Sequence, residues 1–232
     1  MKIIFLNALN AQVLEPMTAF LREHAPDTDV FCFQEVGDEM QRLCAVELAG
    51  YEKISAAKTL YGTDHYALAI YARAGLVAHG SPVLQNLSDA GLGVYTAVLQ
   101  GEQTVHIGNI HGIARFGNAL DYKRDVPGRI AQTREFLNFF KDKKGPRIIG
   151  GDLNVSPDTQ SIRMFEESGY RNLITEFGIA TTRNELSWNL YPDRKLYYSD
   201  YVFVSPDLHV DLFEVPNIKI SDHLPMILRA EI

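Results

Sequence analysis

The chain opens on an apolar run, Lys2 to Leu6, that stops at Asn7, and this shape recurs along its length. A short continuous apolar run bounded by polar residues reads as a strand buried on both faces. Asp29 to Glu35 is a second such run, apolar until it ends in Gln34 and Glu35. Between the two, Pro16 to Glu23 predicts a helix with proline near its first turn, where the missing N–H costs nothing. Asp38 to Ala49 predicts another, with Met40, Leu43, Cys44 and Leu48 at helical spacing and Gly50 as its stop. From Tyr51 to Gly112 the rhythm changes to short strands, YEKISA, YALAIYA, GLVAHG, VYTAVLQ and TVHIGNIH, separated by Gly, Pro, Asp and Ser. Ile130 to Lys141 then reads as an amphipathic helix carrying Ile130, Phe136, Leu137 and Phe140. Arg147 to Gly151 is a strand leading into Asp152 and Asn154, and Pro157 to Ser168 a helix. Three strands close the pattern, around Tyr201 to Val204, Val210 to Glu214 and Pro225 to Ala230.

Strands interleaved with helices predict sheets covered on the outside by helices. With no repeat, low-complexity tract or linker-like stretch, residues 1–232 read as one domain. At this length one core can bury roughly 70% of the surface of the unfolded chain, so neither disulfides nor a structural metal are needed for stability. Cys32 and Cys44 lie in apolar segments without CxxC spacing, which fits reduced core thiols and a cytoplasmic protein. The N-terminal run has no signal-peptide pattern, and no stretch approaches the roughly 20 apolar residues needed to cross a bilayer. Lys+Arg number 22 against 29 Asp+Glu, a formal charge of -7, which excludes a basic, sequence-independent nucleic-acid coat. Any phosphate must therefore be held at a local site.

Several apolar strands stop at an acid, amide or imidazole: Asn7, Glu35, His111 and Asp152. Asp200 and the pair Asp222-His223 instead precede apolar runs. If these ends share one edge of the sheets, acids, amides and imidazoles converge there, a composition suited to a hard cation and a phosphate. Each residue also has a plain alternative. Asn7 reads equally as a turn or capping residue, Glu35 as a solvated strand end, and Asp222 as a turn residue before a strand. His111 reads as a core histidine and His223 as a core or surface one. Asp152 and Asn154 share a face if the strand continues, or form an Asp-x-Asn turn if it does not.

The order and local sequence of these residues resemble the endonuclease/exonuclease/phosphatase superfamily. Asn7 matches its first-strand Asn, Gln34-Glu35 its QE motif, Asn109-Ile110-His111 its N-x-H strand end and Gly151-Asp152-Leu153-Asn154 its GDFN. Ser199-Asp200-Tyr201 matches the DY strand, and Ser221-Asp222-His223-Leu224-Pro225 the closing SDHxP. The resemblance implies an α/β (α+β) fold, a four-layered α-β-β-α sandwich of two mixed sheets, DNase-I-like. It implies Glu35, with Asn7 and Asp222 nearby, as the metal site for Mg2+ or alternatively Mn2+. Asp152 would orient and deprotonate the attacking water, Asn154 and His111 would contact the phosphate, and Asp200 would hold His223 toward it. A metal-dependent phosphoesterase follows, most simply a small nuclease or phosphodiesterase. A phosphomonoesterase or a sphingomyelinase-like enzyme is the alternative, and a catalytically silent binding module on the same scaffold is the reading of another class.

The ester itself is less legible. Arg115, Lys123, Arg124 and Arg129 follow His111 in a loop that starts at the site edge and are candidate phosphate-binding residues, with a plain surface loop as the alternative. The run Lys141, Lys143, Lys144 and Arg147 precedes its strand and reads as a solvated turn. Trp188, with Tyr191, Tyr197 and Tyr198, is either a stacking surface for a base or sugar or part of a core. The Y-x-P-N turn of AP endonucleases is replaced by His111-Gly112-Ile113-Ala114, which points away from that branch. The expected partner is a phosphoester, with nucleic acid among the candidates, and no protein partner is implied.

Overall fold

Alternating inward and outward side chains build two sheets that face each other. The computed structural model describes residues 1–60, 64–83, 92–114, 123–190, 192 and 195–232, with the backbone alone for 58–60, 64–66 and 190. The chain runs through β1 (Lys2–Asn7), α1 (Leu14–His24), β2 (Val30–Val36), α2 (Asp38–Glu47), β3 (Tyr51–Leu60), β4 (Asp64–Arg73) and β5 (Val77–Pro82). It continues through β6 (Leu92–Gln100), β7 (Gln103–His111), α3 (Pro127–Phe140), β8 (Arg147–Asp152), α4 (Gln160–Glu167), β9 (Arg171–Asn172), α5 (Leu173–Glu176) and α6 (Glu185–Leu190). Three strands end it: β10 (Asp200–Val204), β11 (His209–Glu214) and β12 (Met226–Glu231).

One six-stranded sheet has the order β11-β12-β1-β2-β4-β3 and the other β5-β6-β7-β8-β10-β9. Each is mixed. β1 pairs β2 in parallel and β7 pairs β8 in parallel, while the remaining pairings are antiparallel. A parallel pair needs a crossover, which α1 supplies in the first sheet and α3 in the second.

In β1, Ile3 and Phe5 enter the core between the sheets, whereas Ile4 and Leu6 face a separate cluster with Met17, Phe20, Leu21, Met40 and Cys44 of α1 and α2. β2 repeats this with Val30 and Cys32 inward and Phe31 and Phe33 outward. On the second sheet Phe136 and Phe140 of α3 would meet a Cβ placed on Gly108, so that position of β7 faces the helix. Phe165 of α4 stacks on Phe203 of β10 with centroids 4.2 Å apart. The result is helix, sheet, sheet, helix, as the resemblance implies. Both cysteines are buried and unpaired, as expected. No helix among the described residues is long and apolar enough to cross a membrane.

The expected elements are present with ends shifted by a few residues. The segment between α4 and β10, read from sequence only as an aromatic stretch, holds β9, α5 and α6 instead. These pieces run two, four and six residues, too short for a periodic signal, and they start on local caps. Asn172 Oδ1 accepts from the Ile174 N–H and Asn184 Oδ1 from that of Leu186.

Candidate active site

Strand register assembles the site at one end of the sandwich. Asn7 lies opposite Gln34 on the parallel pair β1/β2. On the facing sheet His111 is registered with Asp152, and Asp152 with Asp200, so three polar residues form a row across β7, β8 and β10. Alternation turns this row inward. Gly150, two residues before Asp152, would clash through a Cβ with Phe5 of the opposite sheet. Polar bonds also cross the gap: Gln34 Nε2 donates to Asn109 Oδ1 at 2.6 Å, and Asn109 Nδ2 donates to the carbonyls of Phe33 and Ala69.

Regular backbone stops where the chemistry begins. Glu35 has φ of +54° and Asn154 +57°, left-handed values that L residues reach at a cost of about 1 kcal/mol or more. At Glu35 the turn breaks strand alternation, with a register shift between Phe33 and Val36, and carries the carboxylate to the Asn7 side. Asn7 Nδ2 then bridges Glu35 Oε1 at 2.9 Å and Asp152 Oδ2 at 3.1 Å, while its Oδ1 accepts from the Leu9 N–H. At Asn154 the shared-face geometry of a continuing strand does not form. The strand ends at Asp152, whose Oδ1 accepts the Asn154 N–H at 2.8 Å, so the Asp-x-Asn turn is the structure found. The Asn154 side chain donates to the Gly112 carbonyl and accepts from Lys123 Nζ at 2.6 Å, which ties it to protein groups instead of leaving it open to phosphate.

His223 sits over the row. Its Nδ1 lies 2.9 and 3.0 Å from the Asp200 oxygens, and its Nε2 lies 3.6 Å from Asp152 Oδ2. Burial, the largest influence, lowers the His223 pKa and Arg183 lowers it further, yet Asp200, Asp222 and Asp152 together leave it raised. Burial would raise the Asp152 pKa, but the charges of His223, Lys123, His111 and Arg183 hold it well below the usual carboxylate range. Asp200 is raised by burial and, among nearby charges, by Asp152 against the pull of His223. Lys123 is pushed down to about 8, chiefly by burial.

Asn7, Glu35, His111, Asp152, Asp200 and His223 are therefore gathered as expected, with Asn154 and Lys123 bonded to each other beside them. Asp222 is placed differently. Its Oδ2 pairs with Arg183 Nη2 at 2.7 Å, and it stands outside the group around Glu35. Arg124 is exposed and paired with Asp158. Arg129 is 2% exposed, and its guanidinium donates to the carbonyls of Ile113 and Arg124, so it braces the start of α3 instead of facing solvent phosphate. Trp188 is partly buried, donates to the Leu196 carbonyl at 2.9 Å and contacts Tyr197. Tyr198 donates to the Ile179 carbonyl. In the Lys141–Arg147 turn, Lys143 lies 4.5 Å over the Tyr95 ring instead of being fully solvated. Arg115 and Tyr191 lie outside the described residues.

Sequence reasoning missed Thr182, Arg183 and Ser187. Thr182 Oγ1 donates to Asp200 Oδ2 at 2.8 Å, and Ser187 anchors Arg183. They sit in a polar segment with no apolar strand end to flag them. Only contact with Asp200 and Asp222, distant in sequence, reveals them.

The residues present fit a divalent cation. His111 Nε2 is buried without a hydrogen-bond partner, 3.8 Å from Glu35 Oε1 and 3.9 Å from Asp152 Oδ2. One ligand atom from each of the three lies within 4.8 Å of the others. Carboxylate oxygens suit Mg2+, and an imidazole beside them is equally compatible with Mn2+.

Two mixed six-stranded sheets between helical layers, with acids, amides and imidazoles at one end, define the DNase-I-like phosphoesterase fold. The model of the endonuclease/exonuclease/phosphatase family matches residues 7–223, and the chain belongs to that family. Among solved structures, a humanized D. rerio TDP2 carrying 14 mutations is similar at TM-score 0.76 and 15% identity, covering 100% of this chain and 99% of that one. The Bacteroides thetaiotaomicron mannosyl-6-phosphatase is similar at TM-score 0.73 and 16% identity, with both chains covered completely at 100%. The human Nocturnin catalytic domain with bound sulfate gives TM-score 0.71 and 18% identity over 98% of this chain and 93% of that one. At these identities the likeness is one of fold. No curated protein matches the chain in sequence.

Proposed function

We propose that residues 1–232 form one domain of a divalent-metal-dependent phosphoesterase that hydrolyses a phosphodiester by in-line attack of water, a small nuclease or phosphodiesterase. One observation carries this reading. Asp152, held anionic by surrounding cations, stands within reach of Asn7, His111 and His223 at a single point between the sheets.

Asp152 orients the attacking water and takes its proton as the oxygen bonds to phosphorus. Asn7 fixes the carboxylates of Glu35 and Asp152 relative to each other through its amide. His223, oriented by Asp200, faces the developing charge with Nε2, and His111 approaches it from β7. Lys123, held by Asn154 and by Ser199 Oγ at 2.9 Å, supplies fixed positive charge beside Asp152. Glu35, with His111 and Asp152 beside it, would hold Mg2+ or Mn2+, which when bound supplies Lewis-acid charge at a phosphate oxygen. The two buried thiols fit a cytoplasmic setting.

The test is a panel with Mg2+ or Mn2+: bis-p-nitrophenyl phosphate, p-nitrophenyl phosphate, single-stranded, duplex and abasic DNA, RNA, inositol phosphates and sphingomyelin. Hydrolysis of a diester, stopped by EDTA and reduced about 10²-fold or more in Asp152→Ala, is expected. Preference for monoesters overturns the diester assignment, and silence across the panel favours the binding module.

A further inference from the structure

The segment Thr181-Thr182-Arg183-Asn184 belongs to none of the motifs that mark the site, yet it delivers a buried guanidinium into it. Arg183 is 7% exposed. Its backbone forms a bridge with His223, and neighbouring bonds, Leu224 N–H to the Thr182 carbonyl and Asn184 Nδ2 to the Ser221 carbonyl, lock that pairing. The side chain is held along one edge. Nε and Nη2 donate to Ser187 Oγ at 3.1 and 2.7 Å, and Nη2 also donates to Asp222 Oδ2 at 2.7 Å.

Neutralising Asp222 needs only that edge. The other nitrogen, Nη1, is aimed past Asp222 at the His223 ring, against Nε2 and 3.3 Å from Nδ1. Guanidinium is only a donor. Nη1 therefore presents its N–H groups against the His223 ring, whose Nε2 lies 3.6 Å from Asp152 Oδ2, and the charge of Arg183 acts on Asp152 as well. An anionic oxygen lodged beside Nε2 would meet that donor without any movement of the anchored edge. A planar fork anchored along one edge keeps its remaining nitrogen in a fixed position, the preorganisation with which arginine grips phosphate.

We propose that Arg183 is a catalytic residue of this site, donating from Nη1 to a non-bridging oxygen of the scissile phosphate while Ser187 and Asp222 hold the guanidinium in place. The assignment rests on the phosphoester reading and adds a phosphate contact outside the family motifs. Its test has two arms on the full chain: kcat and KM for bis-p-nitrophenyl phosphate with Mg2+, and affinity for inorganic phosphate by calorimetry. For Arg183→Gln, a fall of about 10²–10³-fold in kcat/KM is expected, as for loss of one preorganised anion donor. Phosphate affinity should weaken at least about tenfold. Arg183→Lys keeps a cation beside Asp222 but loses the fork, so its phosphate affinity should fall between the two. Ser187→Ala, which frees the anchored edge, should weaken phosphate binding less than Arg183→Gln does.

Unchanged phosphate affinity in a folded Arg183→Gln protein overturns the assignment, as does a native protein that binds no phosphate. If the Gln variant does not fold by circular dichroism, native affinity in both Arg183→Lys and Ser187→Ala overturns it instead. A native protein that hydrolyses nothing but binds phosphate, and loses that binding in Arg183→Gln, would sink the phosphoesterase reading while supporting the contact.

Discussion

Replacing Asp200 by Asn changes a single charge at almost constant shape, and the hydrogen-bond pattern fixes what must follow. Thr182 Oγ1 receives the N–H groups of Ser199 at 3.1 Å and Asp200 at 3.2 Å, so its own hydrogen goes to Asp200 Oδ2 at 2.8 Å. That oxygen is committed as an acceptor, and the other faces His223 Nδ1 at 2.9 Å. In Asp200→Asn the amide oxygen must keep the Thr182 hydrogen, because an NH2 there would be a third donor aimed at one hydroxyl oxygen. The NH2 then faces Nδ1 and drives the ring proton to Nε2, against the Arg183 donor. Either amide orientation leaves a buried donor facing a donor, at a cost of about 1–3 kcal/mol.

Relief of the repulsion between Asp200 and Asp152 offsets part of that cost. We expect a net loss of about 1–2 kcal/mol, or roughly 2–8 °C in Tm for a chain of this size. Activity should suffer far more. The same exchange in a comparable His–Asp pair costs about 10⁴-fold, and here it removes the charge that favours the imidazolium turned toward phosphate, so a fall of about 10²–10⁴-fold in kcat is expected. Initial rates on bis-p-nitrophenyl phosphate measure it, thermal melts check the fold, and ¹⁵N NMR of His223 reports which nitrogen is protonated. A folded variant with kcat within about threefold of native, less than 1 kcal/mol in the barrier, and the proton still on Nδ1 would refute the reasoning.

Three further outcomes follow from the same geometry. Glu35→Gln keeps an oxygen for Asn7 but removes the anionic ligand, so the rise in Tm on adding Mg2+ should shrink or vanish in scanning fluorimetry; a native-sized rise would remove Glu35 from the metal site. EDTA should abolish hydrolysis and Mg2+ or Mn2+ restore it, and activity that survives exhaustive chelation would count against the metal. Lys123 titrates at about 8 in the fold against an ordinary 10.5. Between these values the unfolded chain binds more protons, so stability gains with rising pH. Denaturant melts of native protein and Lys123→Met should diverge in favour of the native protein as pH climbs through that window. The gain is on the order of 3 kcal/mol at most, and a pH-independent difference would show that Lys123 is not so perturbed.

Most strands and long helices were readable because they bury a continuous face. β1, β2 and β8 are apolar on both sides, and α2 repeats Met40, Cys44 and Leu48 along one stripe. Short elements such as α5 and α6 have no face long enough to repeat and rest on caps that look like any loop Asn. Among site residues, those that end an apolar strand stood out: Asn7, Glu35, His111 and Asp152. Arg183 and Thr182 did not, since nothing in a T-T-R-N stretch separates a solvated turn from a buried cation. Arg129, a candidate for phosphate or for a plain surface loop by its place in a basic segment, faces carbonyls inside the fold, a matter of helix orientation and not of composition.

By itself, then, the sequence determined which apolar segments would be buried, where strands would stop on chemistry, and the family whose motifs recur in order from Asn7 to Pro225. Local periodicity and short motifs are properties of neighbouring residues, so they survive without a structure. Only the tertiary structure decided how those ends meet. Register across β7, β8 and β10 put His111, Asp152 and Asp200 in one row. A left-handed turn brought Glu35 to Asn7, another turned Asn154 away from Asp152's face, and the bridge between Arg183 and His223 set a guanidinium against the ring. Each depends on contacts between segments far apart in the chain, where hydrogen bonding and charge choose among arrangements that local pattern leaves equivalent.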